Sequence, residues 1–271
     1  MITRIFASAS LLLALSIALI MALPPADAAQ PEPAKPRKVL VFSMTQGFRH
    51  QSIPVAKQVL EELGRKSGAF QATVSDELDN FDRARLFQFD AIVFNLTTGE
   101  IPLTDQQKQN LLDFVSGGRG FVGVHSATDT FYKWEEFGKL IGAYFDGHPW
   151  NANDTVHICV EKENKLTEMF PEKCFDLTEE IYQFREPYDR SKLNVLMSLD
   201  TGKTDMTRRG IKRTDNDFAI GWTKSHGDGR VFYTALGHNE AVWKDPRFQE
   251  HLLSGIRWAI GDLKLEQPPA E

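Results

Sequence analysis

The chain has 271 residues, a net charge of −6 and a pI near 5.7. With 42% apolar and 25% charged residues it has the composition of an ordinary globular protein, long enough for one large core or two small ones. The acidic balance and the lack of a basic stripe with interleaved aromatic residues argue against a nucleic-acid surface. A small molecule is therefore the expected partner.

The first 28 residues have the features of a secretory signal peptide. Arg4 precedes an apolar run over residues 5–23, and two prolines and an Ala-Asp-Ala site ending at Ala28 follow. We expect cleavage after Ala28, a periplasmic or secreted protein, and no stable membrane insertion afterwards. The alternative is an uncleaved anchor, because the run is almost long enough to span a bilayer. No cysteine follows the run, which excludes a lipoprotein anchor.

The chain after Ala28 divides into a linker, one domain and a short tail. Residues 29–37 are rich in proline and charge and have no potential to form a core. Residues 38–264 are predicted to form a single α/β domain, and residues 265–271 a C-terminal tail.

Strand and helix patterns alternate through the first half of this domain. The apolar runs "KVLVFS", "FDAIVFN" and "GFVGVHS" are typical of strands buried on both faces, and "FQATVS" is a further strand. Ser52 is predicted to cap a helix that ends near Gly64, and Thr104 with Gln107 forms a capping box for the next helix. This order predicts a doubly wound, mostly parallel α/β sheet.

The second half is less regular. The segments "DTVHICVEKE", "EIYQFRE" and "LNVLMSLD" are strand candidates, and "HGDGR" predicts a hairpin turn between two later strands. The final segment "PRFQEHLLSGIRWAIGDL" predicts an amphipathic helix, whose apolar side chains are Phe248, Leu252, Leu253, Ile256 and Trp258. Cys159 and Cys174 are the only cysteines, and they fit either one disulfide or two buried thiols.

Histidines follow three of the predicted strands. Ligands of open parallel sheets bind outside the carboxyl ends of the strands, so these histidines should share one edge. The residues expected there are Arg49 and His50, then His125, Ser126, Thr128 and Asp129, then His238, Asn239 and Glu240. His148, Glu179 and Glu180 are further candidates that the sequence does not place. His157, His226 and His251 are interpreted as structural.

The segment "GFVGVHSAT" resembles a nucleophile elbow, in which a sharp turn after a strand exposes a reactive side chain. His125 stands at the nucleophile position, between the small residues Gly123 and Ala127. Ser126 lies one residue too late for that role, so a Ser/His hydrolase is an alternative with weak support. An imidazole in this position suits a general base, a general acid or a metal ligand.

Five segments together resemble the ThuA-like (trehalose utilisation) family, which has the flavodoxin-like fold of class I glutamine amidotransferases. They are "GFRHQSIP", "GFVGVHSATD", "EEIYQF", "GRVFYTALGHNE" and "PRFQEHLLSGIRWAIG". The resemblance spans about residues 38–263 and implies a role in sugar catabolism through 3-keto-glycosides. It does not imply glutamine amidotransferase activity, because His125 replaces the cysteine nucleophile.

A 3-keto sugar calls for a base beside the ketone and for groups that stabilise an enediolate. His50, His125, His238 and Glu180 are the expected catalytic residues, and His50, His125, His148 and His238 the expected ligands of a divalent metal, zinc or a similar ion. No nucleotide cofactor is expected, and a homo-oligomer is possible. A non-catalytic carbohydrate-binding protein is the alternative from another class. Substrate contacts are assigned to Arg49, Ser126, Asp129, Tyr182, Trp222 and Asn239, with Trp150 as a further stacking candidate.

Overall fold

The computed structural model describes Met1 and residues 37–265. The predicted signal peptide beyond Met1, the linker up to residue 36 and the tail from residue 266 lie outside the described residues. The described residues 37–265 belong to one compact unit. Within the described part, none of the helices has both the length and the apolar character needed to cross a membrane.

The described residues form eleven strands and six α-helices. The strands are β1 Arg37–Phe42, β2 Phe70–Val74, β3 Ala91–Asn95, β4 Gly120–Val124, β5 Tyr144–Phe145, β6 Thr155–Val160, β7 Cys174–Thr178, β8 Phe184–Arg185, β9 Asn194–Leu199, β10 Ala219–His226 and β11 Gly229–Thr234. The helices are α1 Ile53–Ser67, α2 Arg83–Leu86, α3 Asp105–Ser116, α4 Glu135–Ile141, α5 Glu240–Lys244 and α6 Pro246–Ala259.

Nine strands form one sheet in the order β2-β1-β3-β4-β11-β10-β9-β6-β7. The first five pair in parallel, and the pairings from β11 to β7 are antiparallel. Every residue of β3 and β4 is buried because helices cover both faces of the parallel part, which explains their continuous apolar runs. The predicted flavodoxin-like α/β fold is confirmed.

Two strand predictions in the second half need correction. The segment "EIYQFRE" contains only the two-residue strand β8, which pairs with β5 outside the main sheet. The edge strand β7 has no counterpart among the predictions. Its sequence "CFDLT" places polar and half-exposed residues at most positions, so it lacks the apolar run that marks a central strand.

The predicted capping box and hairpin turn are present, but the predicted cap at Ser52 is not. Thr104 and Gln107 form the predicted capping box at α3. Ser52 occupies the N-cap position of α1 but does not cap the helix, because its hydroxyl donates a hydrogen bond to the Gly237 carbonyl at 3.1 Å. The predicted hairpin joins β10 to β11, and Gly227 adopts a positive φ of 59° in its turn.

The two cysteines are joined. Cys159 on β6 and Cys174 on β7 are opposed in the antiparallel register and form a disulfide. The bond attaches the edge strand β7 covalently to its neighbour β6.

His251 lies buried in α6, where it packs against Phe170 and Phe232. Its Nδ1 donates to the Leu166 carbonyl at 2.6 Å, and its Nε2 has no partner among the described residues. Burial therefore lowers its pKa to about 4. These contacts agree with the structural role predicted for His251.

We expect His251 to make the fold sensitive to acid. Between pH 6.5 and 4 the unfolded chain binds a proton that the folded chain does not bind, so the free energy of unfolding falls as the pH drops, by about 3 kcal/mol in total. In His251→Asn the amide keeps a donor for Leu166 but does not titrate. Urea unfolding from pH 7 to 4 should give a shallower pH slope for the variant. Parallel slopes would show that His251 is not responsible.

Candidate active site

Three histidines meet at the carboxyl edge of the parallel strands. His50 lies in the loop after β1, His125 follows β4 directly, and His238 lies beyond the end of β11. The distances between ring centroids are 4.9 Å for His50 and His125, 5.0 Å for His50 and His238, and 5.3 Å for His125 and His238. The predicted convergence of the three strand-end histidines is what the structure shows.

His125 occupies a strained turn, as the comparison with a nucleophile elbow predicts. Its φ is +51°, a conformation that non-glycine residues seldom adopt. A Cβ at Gly123 would approach Ile141 and Tyr233 to 3.0 Å, so the small residue before the turn is required by packing. The turn directs the imidazole toward the Ala235 carbonyl, which lies 2.6 Å from Nδ1. A carbonyl only accepts, so Nδ1 carries the proton and Nε2 presents a lone pair to the site.

Glu180 lies at the centre of the group. Its Oε1 is 3.4 Å from Nε2 of His125 and 3.1 Å from Nδ1 of His238. Its Oε2 is 3.4 Å from Nδ1 of His148, on the more exposed side. One ligand atom from each of His50, His125, Glu180 and His238 lies within 4.8 Å of the others. We call these four residues the histidine–glutamate cluster.

Glu180 reaches the cluster along a short ribbon separate from the main sheet. The backbone of Ile181 donates to Trp150, that of Gln183 donates to Gly147, and β8 pairs with β5 beyond them. The ribbon brings Glu180 and Tyr182 from one side and His148 from the other to the turn that begins at His125. This pairing between distant segments explains why the sequence left Glu180 and His148 unplaced.

Burial and the contacts within the cluster act in opposite directions on its pKa values. Burial, and then the charges of His125 and His238, lower the pKa of His50 to about 3. Burial also lowers the pKa of His125, against the opposing effect of Glu180. Burial alone would raise the pKa of Glu180, but contacts with His125 and His238 outweigh it and lower that pKa. The pKa of His238 is raised, because Glu180 outweighs the effect of burial.

The neighbouring Glu179 has a supporting role. Its buried carboxylate accepts hydrogen bonds from the backbone N–H of His238 at 2.6 Å and of Asn239 at 3.2 Å. The amide nitrogen of Asn239 donates to the carbonyls of Ala152 and Thr178 and so ties loops together. Burial raises the pKa of Glu179 to about 7. Glu179 thus holds the backbone that carries His238.

Asp129 forms a second polar pair near the cluster. It is half-buried and accepts a hydrogen bond of 2.5 Å from the hydroxyl of Tyr132. Burial raises the pKa of Asp129, and the negative charge of Glu180 adds to that effect. Tyr132 was missed by the sequence reasoning. Its position three residues after Asp129, in the loop that follows a site strand, is the signal that identifies it.

Several residues proposed as substrate contacts are not accessible. Trp222 is fully buried in β10, where its ring stacks on Tyr233 and its Nε1 donates to the Ile141 carbonyl. Trp150 is buried and donates to the Asp205 carbonyl. Trp222 and Trp150 are therefore core residues, because neighbouring side chains and backbone cover both rings.

Tyr182 and Ser126 are also buried, but they contact the cluster. The hydroxyl of Tyr182 lies 2.9 Å from Nε2 of His125, and its ring packs between His125 and Phe145. Ser126 Oγ lies 3.4 Å from Nδ1 of His50. These two residues orient imidazoles and do not offer a surface to a sugar. Arg49 is exposed beside His50.

The remaining histidines lie outside the cluster. His157 on β6 pairs with Asp176, His226 ends β10 in the hairpin and His251 lies in α6, and none of the three belongs to the cluster. His148 is more exposed than the cluster members, with 44% of its side chain accessible, and it contacts Glu180 from outside. Its predicted place among the metal ligands is therefore less suitable than that of Glu180.

The donor atoms of the cluster fit a divalent metal ion. Nδ1 of His238 is buried and makes no hydrogen bond within the described part of the chain, although Oε1 of Glu180 lies 3.1 Å away. One ligand atom from each of the four residues lies close enough to the others to share one ion. Imidazole nitrogens with one carboxylate oxygen suit zinc and similar ions, and the bond from His125 to Ala235 fixes the ligand tautomer.

The fold and cluster together define an α/β protein whose polar site lies at the carboxyl edge of a parallel sheet. Residues 38–259 match the family described as trehalose utilisation, ThuA. The chain belongs to this ThuA family.

Solved structures share the fold. A protein of Bacteroides uniformis ATCC 8492 described as ThuA-like is 24% identical, with a TM-score of 0.67 over 87% of this chain and 95% of that chain. A ThuA-like protein of Parabacteroides merdae ATCC 43184 is 19% identical, with a TM-score of 0.65 over 86% and 93%. A β-galactosidase of Bacillus circulans is 9% identical, with a TM-score of 0.53 over 84% of this chain and 31% of that chain. No curated protein matches the chain.

Proposed function

We propose that this protein is an exported enzyme that acts on a 3-keto-glycoside by removing the proton next to the ketone. Membership of the trehalose utilisation family implies a role in sugar metabolism. The observation that supports the finer proposal is the histidine–glutamate cluster, which combines three imidazoles with one carboxylate and contains no cysteine or serine. Such a set suits proton transfer and charge stabilisation better than covalent catalysis.

His50, His125, His238 and Glu180 would hold a divalent metal ion, zinc or a similar one. When bound, the ion supplies positive charge that stabilises a negatively charged oxygen of the sugar. The protein's own residues prepare that site. Ala235 fixes the tautomer of His125, and Glu179 fixes the backbone of His238.

His148 is the group best placed to take the proton. Its imidazole is accessible, lies outside the four inner residues, and has its Nδ1 oriented by the outer oxygen of Glu180. The proton moves from C2 of the sugar to the imidazole, and the C–H electron pair forms the enediolate with C3. Collapse of the enediolate restores the ketone, forms a C1–C2 double bond and breaks the C1–O bond, so the departing alkoxide then takes a proton. Asp129, paired with Tyr132, lies near His148 and contributes a second proton-carrying group.

A Ser/His hydrolase is the catalytic alternative, since Ser126 Oγ is 3.4 Å from His50. Ser126 is completely buried, and the low pKa of His50 makes it a weak base. We therefore expect Ser126→Ala to retain most of the turnover. A loss of roughly 10³-fold or more, the scale seen when a nucleophile is removed, would favour the hydrolase instead.

Export is the proposed localisation, and the disulfide between Cys159 and Cys174 supports it, because such bonds persist in oxidising compartments. Expression in an exporting bacterial host should yield a protein that has lost the first 28 residues and begins at Ala29. Intact-mass measurement of the periplasmic fraction tests this. Retention of Met1 in the mature protein would contradict it.

The catalytic proposal is tested by incubating purified protein with a methyl 3-keto-glycoside, with and without added zinc. We expect release of methanol together with exchange of the C2 proton for solvent deuterium. The His148→Gln variant should lose both, because glutamine cannot accept the proton. Exchange that is unchanged in His148→Gln would assign the base to another residue.

A further inference from the structure

A cleft opens beside the histidine–glutamate cluster. It has a volume of about 410 Å³ and is lined by Phe48, Gln51, Ser52, His238, Asn239 and Glu240. His238 belongs both to the cleft and to the cluster, so a molecule bound over the cluster can extend into the cleft.

Phe48 has a conspicuous position at this cleft. Its side chain is 63% exposed, whereas the other large apolar side chains of residues 37–265 are more deeply covered. The loop that carries it is tied to Thr98, whose hydroxyl donates to the Phe48 carbonyl at 2.8 Å and accepts from the Gly47 N–H at 3.2 Å. The backbone that carries the exposed ring is therefore fixed at the edge of the cleft, where the ring leaves apolar surface in contact with water.

The position of the ring relative to the cluster indicates what it binds. The ring of Phe48 is 4.8 Å from that of His50 and nearly perpendicular to it, at 82°. His50 in turn lies 5.0 Å from His238. Phe48 thus lies beside His50 and lines the cleft that opens next to the cluster, so a molecule that is bound over the cluster and extends into the cleft meets this ring.

We infer that Phe48 stacks against the second sugar ring of the substrate, the ring that leaves when the C1–O bond breaks. The inference rests on the proposed function, because it assumes that the oxidised ring lies over the cluster. The apolar C–H face of a pyranose suits the face of an aromatic ring. Gln51 and Glu240, both exposed along the same cleft, present an amide and a carboxylate to its hydroxyls. The substrate is accordingly a disaccharide or a larger glycoside.

The test compares two substrates on three proteins. The substrates are a 3-keto-disaccharide and the methyl 3-keto-glycoside of the same oxidised ring, and the proteins are wild type, Phe48→Ala and Phe48→Trp. For Phe48→Ala we expect kcat/KM to fall roughly tenfold with the disaccharide, mainly through KM, and to stay near wild type with the methyl glycoside. Phe48→Trp should retain the preference for the disaccharide, since it keeps an aromatic face.

Equal changes of kcat/KM with both substrates would overturn the inference. A change of oligomeric state in Phe48→Ala, measured by size-exclusion chromatography, would also overturn it, because Phe48 would then belong to an interface between subunits. If wild type turns over neither substrate, the proposed function fails, and binding of the unoxidised disaccharide by saturation-transfer NMR decides the role of Phe48. Binding that is lost in Phe48→Ala and kept in Phe48→Trp supports the stacking role. Equal or absent binding excludes it.

Discussion

His125→Asn should reduce turnover of a 3-keto-glycoside by roughly 10²-fold or more while the protein stays folded. Asparagine tolerates the positive φ of this turn better than alanine does, and its amide can still donate toward the Ala235 carbonyl. The substitution therefore removes Nε2, the atom that faces Glu180, and little else. Steady-state kinetics with a far-ultraviolet circular dichroism spectrum measures both parts of the expectation.

His157→Asn is the matched control. His157 also contacts a carboxylate, with Nδ1 2.6 Å from Asp176, but it is only partly buried and lies on β6, outside the cluster. Its replacement should leave turnover near the wild-type value. Full activity in His125→Asn would remove the strand-end histidine from the mechanism.

Glu180→Gln should weaken zinc binding by about 10²-fold or more, because the amide keeps the shape of the side chain but removes the negative charge among three imidazoles. Glu180 is the group shared by the contacts to His125, His238 and His148, so its loss affects both the metal ligands and the orientation of the base. Competition with a chromophoric chelator near neutral pH gives the affinity directly.

Asp176→Asn provides the comparison for Glu180→Gln. Asp176 is an exposed carboxylate that also contacts a histidine, and its replacement should leave zinc affinity unchanged. If both variants bind zinc as wild type does, the cluster does not hold the ion. If both lose it equally, zinc is bound at the surface around His157.

The parallel half of the sheet follows from local pattern. Continuous apolar runs identify β1, β3 and β4, and the rule that ligands bind at carboxyl ends places His50, His125 and His238 together. The small residues Gly123 and Ala127 on either side of His125 also indicate the sharp turn in which His125 adopts a positive φ. In this part of the chain, burial on both faces makes the pattern unambiguous.

The rest of the site depends on contacts between distant segments. Glu180 is central because residues 181–183 pair with residues 147–150, and no periodicity in "TEEIYQF" predicts that pairing. The sequence also does not reveal which aromatic residues are accessible. Trp222 is covered by Tyr233 and Ile141, whereas Phe48 is exposed on a loop that is fixed to Thr98. Composition and local pattern do not distinguish a core ring from an exposed one.

The most direct test of the central proposal is solvent exchange at C2 of a 3-keto-glycoside, followed by NMR in deuterated buffer with the zinc-loaded wild-type protein. We expect the C2 proton to exchange and the C1 substituent to be released, with both processes lost in His125→Asn and Glu180→Gln. A wild-type protein that binds the keto-glycoside but causes neither exchange nor release would contradict this account and identify a carbohydrate-binding protein.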